Sequence, residues 1–231
     1  INQFLEGLKH ANRPLIIAGG GVTHSGAHKE LITFVEKYHI PVLASFRRHD
    51  CFPNDHDLYV GHSGLGAFDG VIETMKQADV ILSLGSRFSE VTTQGYSAIS
   101  NEQTIFHIDI DPNSIGKVYS TELGLVGDIK QTLSKILEKN IELTPNWREW
   151  AKERNKVYRD LTKIEPSEND YVDNKQIIRH LQETVSEQTI FTNDAGNFSA
   201  WFQSFYQFKH PDTYIGPTSG AMGYGLPSAL G

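Results

Sequence analysis

The sequence holds a single cysteine, Cys51. A lone thiol excludes an intramolecular disulfide framework and any multi-cysteine zinc site, and it fits a reducing cytosol. No apolar run approaches the roughly 18 residues that cross a bilayer, so no membrane partner is expected. Ile1-Asn2-Gln3 carries neither an initiator methionine nor a signal-peptide pattern, and the expectation is a cytoplasmic chain that begins inside a longer protein. Long blocks of one charge are missing too. Lys and Arg number 21 against 28 Asp and Glu, a formal charge of −7, which argues against nucleic acid as a partner. There is no G-x-S-x-G elbow and no Walker A sequence. Among ten histidines, His49, His56 and His62 are scattered through a polar loop without i, i+4 or paired spacing, and no metal is assigned to them.

What is present is alternation. At 231 residues the chain has room for about one and a half ordinary domains. Short apolar runs predict strands over 15–18, 42–44, 80–84, 105–109 and 123–126, separated by segments of helical period. Leu31, Ile32, Val35 and Tyr38 stripe one helix, Phe68, Val71, Ile72 and Met75 a second, and Ile129, Leu133, Ile136 and Leu137 a third. The expected fold class is therefore α/β: a Rossmann-like parallel sheet flanked by helices over residues 1–140. Residues 141–172 read as a helical linker, with Trp147, Trp150, Ala151, Val157, Tyr158 and Leu161 on one face and a solvated stretch over 165–173. A second α/β domain starts within 173–231. Ile177, Ile178, Leu181 and Val185 stripe its helix, and a strand over 189–192 delivers Asn193-Asp194-Ala195-Gly196-Asn197 at its carboxyl end, where open α/β sheets bind ligands.

Three loops carry chemistry. Gly19-Gly20-Gly21 follows the first strand, with Gly26 read as opening the next helix, a turn that lets a phosphate approach; its spacing is not a strict G-x-G-x-x-G. Arg87, in Gly85-Ser86-Arg87-Phe88, stands where it could stack on a purine or pair with a phosphate, or equally hold a neighbouring loop. Asp109 could accept hydrogen bonds from a ribose, whereas Asp111 before Pro112 reads as a helix N-cap. Gly20, Gly21, Arg87 and Asp109 are thus the candidate nucleotide contacts. The third loop ends the chain: glycines at 216, 220, 223 and 225, then Pro227, describe a close-approach loop running into a helix N-terminus. Met222 is its one large flexible side chain. A purely structural turn before a buried helix explains the same pattern.

The series Gly19-Gly20-Gly21, Gly85-Ser86-Arg87-Phe88, Ile108-Asp109-Ile110-Asp111-Pro112 and Gly127-Asp128 resembles the central domain of acetolactate-synthase-like thiamine diphosphate enzymes. Asp194-Ala195-Gly196-Asn197 through Trp201, then Gly220-Ala221-Met222-Gly223-Tyr224-Gly225-Leu226-Pro227, resembles the opening of their diphosphate-binding domain, close to the family's G-[TA]-M-G-[FY]-G-x-P pattern. The resemblance covers nearly the whole chain. It implies a fragment of a carboligase or decarboxylase acting on a 2-oxo acid, inactive alone, with no catalytic residue in this stretch. The cofactor implied for the full-length protein is thiamine diphosphate with Mg²⁺, an ylid source that adds to a 2-oxo acid and absorbs the electrons of decarboxylation. By resemblance, Met222 enforces the bent cofactor, Gly220 and Ala221 lie along its aminopyrimidine, and Ala195, Gly196, Asn197 and Phe198 lie along the diphosphate.

The same resemblance places outside this chain an upstream domain with an activating glutamate and a downstream G-D-G…N-N segment for Mg²⁺, so no residue here is assigned a metal. It also implies a homodimer or homotetramer. Two departures stand out: Phe198 replaces a histidine, and Arg47-Arg48-His49-Asp50 replaces the family's Gly-rich flavin loop, with Ser89 and Val91 altering the arginine motif. These weigh against FAD and leave open an ADP-like ligand or a vestigial cleft. Two other classes remain: an NAD-dependent oxidoreductase or deacylase, which accommodates residues 14–140, and a non-catalytic nucleotide-binding module over residues 1–140. Neither accounts for the glycine-methionine block.

Overall fold

A computed structural model describes residues 2–139, 142–167 and 171–231. The chain opens with α1 (Asn2–Leu8), β1 (Pro14–Ala18), α2 (Gly20–Ser25), α3 (His28–Tyr38), β2 (Val42–Ala44), β3 (Tyr59–His62), α4 (Asp69–Gln77), β4 (Val80–Leu84), β5 (Thr104–Asp109), β6 (Leu123–Val126) and α5 (Ile129–Glu138). These strands form one parallel sheet in the order β3-β2-β1-β4-β5-β6. Every residue of β1 and β4 is buried, as expected where helices cover both faces of a parallel sheet. The sheet order reverses between β1 and β4, which puts a crevice at their carboxyl ends.

α6 (Arg148–Thr162) follows. It lies on the first sheet rather than spanning free between units: Asn155 Nδ2 donates to His56 O at 3.2 Å and to Tyr59 O at 2.7 Å, and Trp147 Nε1 donates to Tyr38 O and His39 O. The solvated stretch read over 165–173 includes residues 168–170, which lie outside the described residues, as does the 140/141 boundary. Beyond it come α7 (Asn174–Thr184), β7 (Phe191–Thr192), α8 (Asn197–Phe205), β8 (Tyr214–Ile215) and α9 (Gly225–Leu230). β7 and β8 pair in parallel, Phe191 opposite Tyr214. A second apolar cluster of Ile178, Phe205, Tyr206, Phe208 and Tyr214 forms there.

Four expectations need correction. Residues 59–62 form β3, a strand the sequence pattern conceals because Gly61 and His62 interrupt the apolar run. His62 therefore sits on a strand rather than in the loop, and His49, within the loop, is fully buried. Gly26 does not open a helix; it closes α2, at φ +63. Asp111 caps a turn, accepting from Asn113 N and Ser114 Oγ, and the next element is the strand β6 rather than a helix.

Candidate functional site

The two glycine loops at the β1/β4 crevice pack against each other. Gly21 N donates to Gly85 O at 3.1 Å, and a Cβ on Gly85, whose φ is +64, would lie 2.3 Å from Gly21 Cα. Loop-on-loop contact alone accounts for glycine at both positions. Arg87 is exposed beside them. Asp109 is buried, its Oδ1 taken by Asp111 N at 2.9 Å and its Oδ2 3.9 Å from His107 Nε2. Burial first, against the opposing pull of Asp109, depresses the His107 pKa.

The second unit assembles its two motifs. β7 delivers Asn193 and Asp194, and Asp194 Oδ1 accepts from Tyr224 N and from Gly225 N, the latter at 2.9 Å. One carboxylate oxygen thus fastens the 194–197 loop to the start of α9. Gly196 precedes α8 in extended conformation and no side chain caps that helix; Ser199 N turns back to Gly196 O at 3.1 Å, which leaves the N–H groups of Asn197 and Phe198 as the first-turn donors for an anion. The Phe198 ring folds back here, since a Cβ on Gly196 would lie 2.7 Å from Phe198 Cε1. Gly220 and Gly223 take φ of +76 and +79, and Met222 projects between them, 84% exposed. Ala195 through Phe198 and Gly220 through Met222, two sets named from sequence, are therefore brought to one edge of one small sheet. Gly20, Gly21, Arg87 and Asp109 lie at the edge of the other sheet and do not join them.

Sequence reasoning missed what lies between the two sheets. The loop after β2 crosses from one unit to the other: Asp50 Oδ2 accepts from Thr213 N and Tyr214 N at 3.1 and 3.2 Å, while Asn54 N donates to Phe208 O and Phe208 N to Asn54 Oδ1. Burial raises the Asp50 carboxyl above the usual range, opposed by those two backbone donors. Behind it the His49 and His62 rings meet edge to face at 4.5 Å, with Tyr214 5.2 Å from His49. Both His49 nitrogens and His62 Nε2 are buried without a hydrogen-bond partner among the described residues. Desolvation holds His62 down at about 4 and His49 well below its ordinary value. Only the density of polar residues in Arg47-Arg48-His49-Asp50, directly after a buried strand, could have flagged this seam. A groove of about 940 Å³ lies elsewhere, beside α6, lined by charges of both signs such as Glu36, Arg148 and Asp160, and touches none of these motifs.

Residues 1–136 match the family described as thiamine pyrophosphate enzyme, central domain, and residues 194–231 its C-terminal TPP binding domain. The chain belongs to the thiamine pyrophosphate enzymes. It is similar to the acetolactate synthase large subunit of Buchnera aphidicola subsp. Acyrthosiphon pisum, 34% identical over all of this chain and 41% of that protein. The corresponding subunit of Lactococcus lactis subsp. lactis is 30% identical over all of the chain and 40% of its own length. A probable acetolactate synthase large subunit of Methanocaldococcus jannaschii is 33% identical over 97% of the chain and 39% of its length. The chain spans about two fifths of the length of these relatives.

The residues present fit part of a thiamine pyrophosphate site. Uncapped N–H donors at α8 suit a diphosphate, and the side-chain-free turns around Met222 leave room for a flat ring against backbone. Among the described residues, no three His, Cys, Asp or Glu side chains cluster to hold an ion. Nor is any helix among them long and apolar enough to cross a membrane.

Proposed function

We infer that the full-length protein is an acetolactate-synthase-like carboligase or decarboxylase acting on a 2-oxo acid, and that this chain supplies one wall of its cofactor site. The observation that carries the reading is the Asp194 clamp, because it joins the two motifs that the family match spans into one surface. In this reading Ala195, Gly196, Asn197 and Phe198 hold the diphosphate by main-chain donors. Gly220 and Ala221 line the pyrimidine, and Met222 keeps the cofactor bent. Bound there, the cofactor would supply the carbanion chemistry of 2-oxo acid decarboxylation. This chain's own contribution is to position and to exclude water; the metal ligands lie beyond it.

Residues 1–140 form the central domain in this proposal, with Gly20, Gly21, Arg87 and Asp109 at a cleft open to a nucleotide such as ADP. Residues 141–172 are the helical linker laid on that domain, and 173–231 begin the cofactor domain. The exposed Leu226, Leu230 and Phe198 support a homodimer or homotetramer closing over this edge, in the cytoplasm. An NAD-dependent reading leaves the second family match unexplained. Titrating thiamine diphosphate with Mg²⁺ into the full-length protein and following CO₂ release from pyruvate tests the proposal. Saturable cofactor binding with release from some 2-oxo acid is expected; no cofactor binding at millimolar concentration would refute it.

A further inference from the structure

The guanidinium of Arg47 is out of place unless something anionic meets it. Arg47 follows β2 with φ +61, a left-handed conformation that costs a non-glycine residue free energy and concentrates at ligand clamps. Its side chain leans on the Phe46 ring, 4.8 Å from guanidinium carbon to centroid. Nε and Nη1 are buried and have no hydrogen-bond partner among the described residues. The neighbouring carboxylate is not the partner of either nitrogen, and Asp50 Oδ2 accepts instead from Thr213 N and Tyr214 N. Nη2 points to the cofactor wall: a Cβ on Gly220 would lie 3.9 Å from it. Buried donors of a permanent cation without acceptors are among the most unfavourable arrangements a fold can hold, and a bound anion, which supplies both acceptor and countercharge, resolves them more fully than a water does.

We propose that Arg47 is the carboxylate anchor of the reacting site, its planar fork taking the carboxylate of a 2-oxo acid seated against the Gly220 turn. A guanidinium matches a carboxylate by two parallel N–H···O bonds, which fixes both distance and plane. The same geometry explains why the strained backbone persists, since φ +61 at residue 47 is what turns the side chain from its own sheet toward the second unit.

The inference rests on the thiamine diphosphate reading, so the test separates the two. Oxamate, an unreactive isostere of pyruvate, is titrated calorimetrically into the cofactor-free full-length protein, and thiamine diphosphate affinity is measured separately. Arg47→Gly removes the guanidinium and relieves the left-handed strain. It should weaken oxamate roughly 10- to 100-fold while cofactor affinity holds and the melting temperature does not fall. Arg47→Lys, which keeps the charge without the fork, should lie between. Single-turnover CO₂ release from pyruvate and the KM for a second 2-oxo acid then assign the carboxylate to donor or acceptor. Oxamate affinity unchanged in Arg47→Gly, or no oxamate binding by the unaltered protein at millimolar concentration, overturns the anchor. Absent cofactor binding sinks the functional reading instead, and the oxamate result still judges Arg47.

Discussion

The buried His49–His62 pair makes stability depend on pH in a window that the structure fixes. His62 is pushed down to about 4 by burial, from an ordinary 6.5. Between those values the unfolded chain takes up a proton that the folded chain refuses. Its contribution is therefore fully present above pH 6.5 and lost as pH falls toward 4. At 1.36 kcal/mol per pH decade the whole window is worth about 3 kcal/mol, and the interval from pH 7 to pH 5 about 2 kcal/mol. His49, lowered in the same direction by burial and then by His62, Arg47 and Arg48, adds to that slope. Asp50 opposes it, because a raised carboxyl favours the folded state at low pH and loses that contribution as pH rises. Urea unfolding of the 231-residue chain at pH 7 and pH 5, followed by tryptophan fluorescence, reads the difference, and a constant m-value confirms that the same transition is observed. His62→Phe is the control. The ring would keep its edge-to-face contact with His49, the unpaired Nε2 disappears, and the pH 7-to-5 loss should shrink by about 2 kcal/mol. If parent and variant lose stability equally, the proton is not binding at His62 and the linkage assigned to this pair is wrong.

Other perturbations separate folding from function. Gly85→Ala places a methyl 2.3 Å from Gly21 Cα at a φ of +64, with backbone on both sides and nothing flexible to yield; thermal unfolding should show a loss of about 3 kcal/mol or more. Met222→Ala should leave stability within about 0.5 kcal/mol, because the side chain is 84% exposed, yet weaken thiamine diphosphate binding by the full-length protein about tenfold. Equal cofactor affinity would remove Met222 from the site. Asp194→Ala deprives Tyr224 N and Gly225 N of their acceptor, costing about 1–3 kcal/mol and accelerating hydrogen exchange at both amides. Asp194→Asn keeps an oxygen there and should be milder.

β1, β2 and β4 were legible because each is a short, continuous apolar run bounded by turn residues, the pattern of strands buried on both faces; β5 and β6 were legible from the apolar residues at 105, 106 and 108 and at 123, 125 and 126, although His107 and Gly124 interrupt them. Tyr59-Val60-Gly61-His62 escaped for the converse reason: its burial comes from α6 and α4, which supply contacts no local pattern records. Asp194 and Met222 could be named from the glycine spacing around them. That Asp194 binds the amides of residues 224 and 225, thirty positions on, is a tertiary fact. The histidines show the limit most sharply. Ring contact between residues 49 and 62 depends on the parallel register that places His62 opposite Ala44, and a spacing rule written for one helix or one strand cannot detect it.

That register also bears on how Arg47 can act at all. A binding group must be held to within a fraction of an ångström, and loops usually do this poorly. The 46–54 loop is an exception because it is tied at both ends and in the middle. Ser45 N donates to Ala18 O at its root, Asp50 Oδ2 holds β8, and Asn54 exchanges hydrogen bonds with Phe208 while its Nδ2 closes back on His49 O and Phe52 O. Those ties cross the seam, so the loop that carries Arg47 is also what sets the two sheets against each other. The distance from guanidinium to the Gly220 turn then depends on the same bonds that hold the units together. Loosening the seam would be felt as lost substrate affinity before it was felt as unfolding.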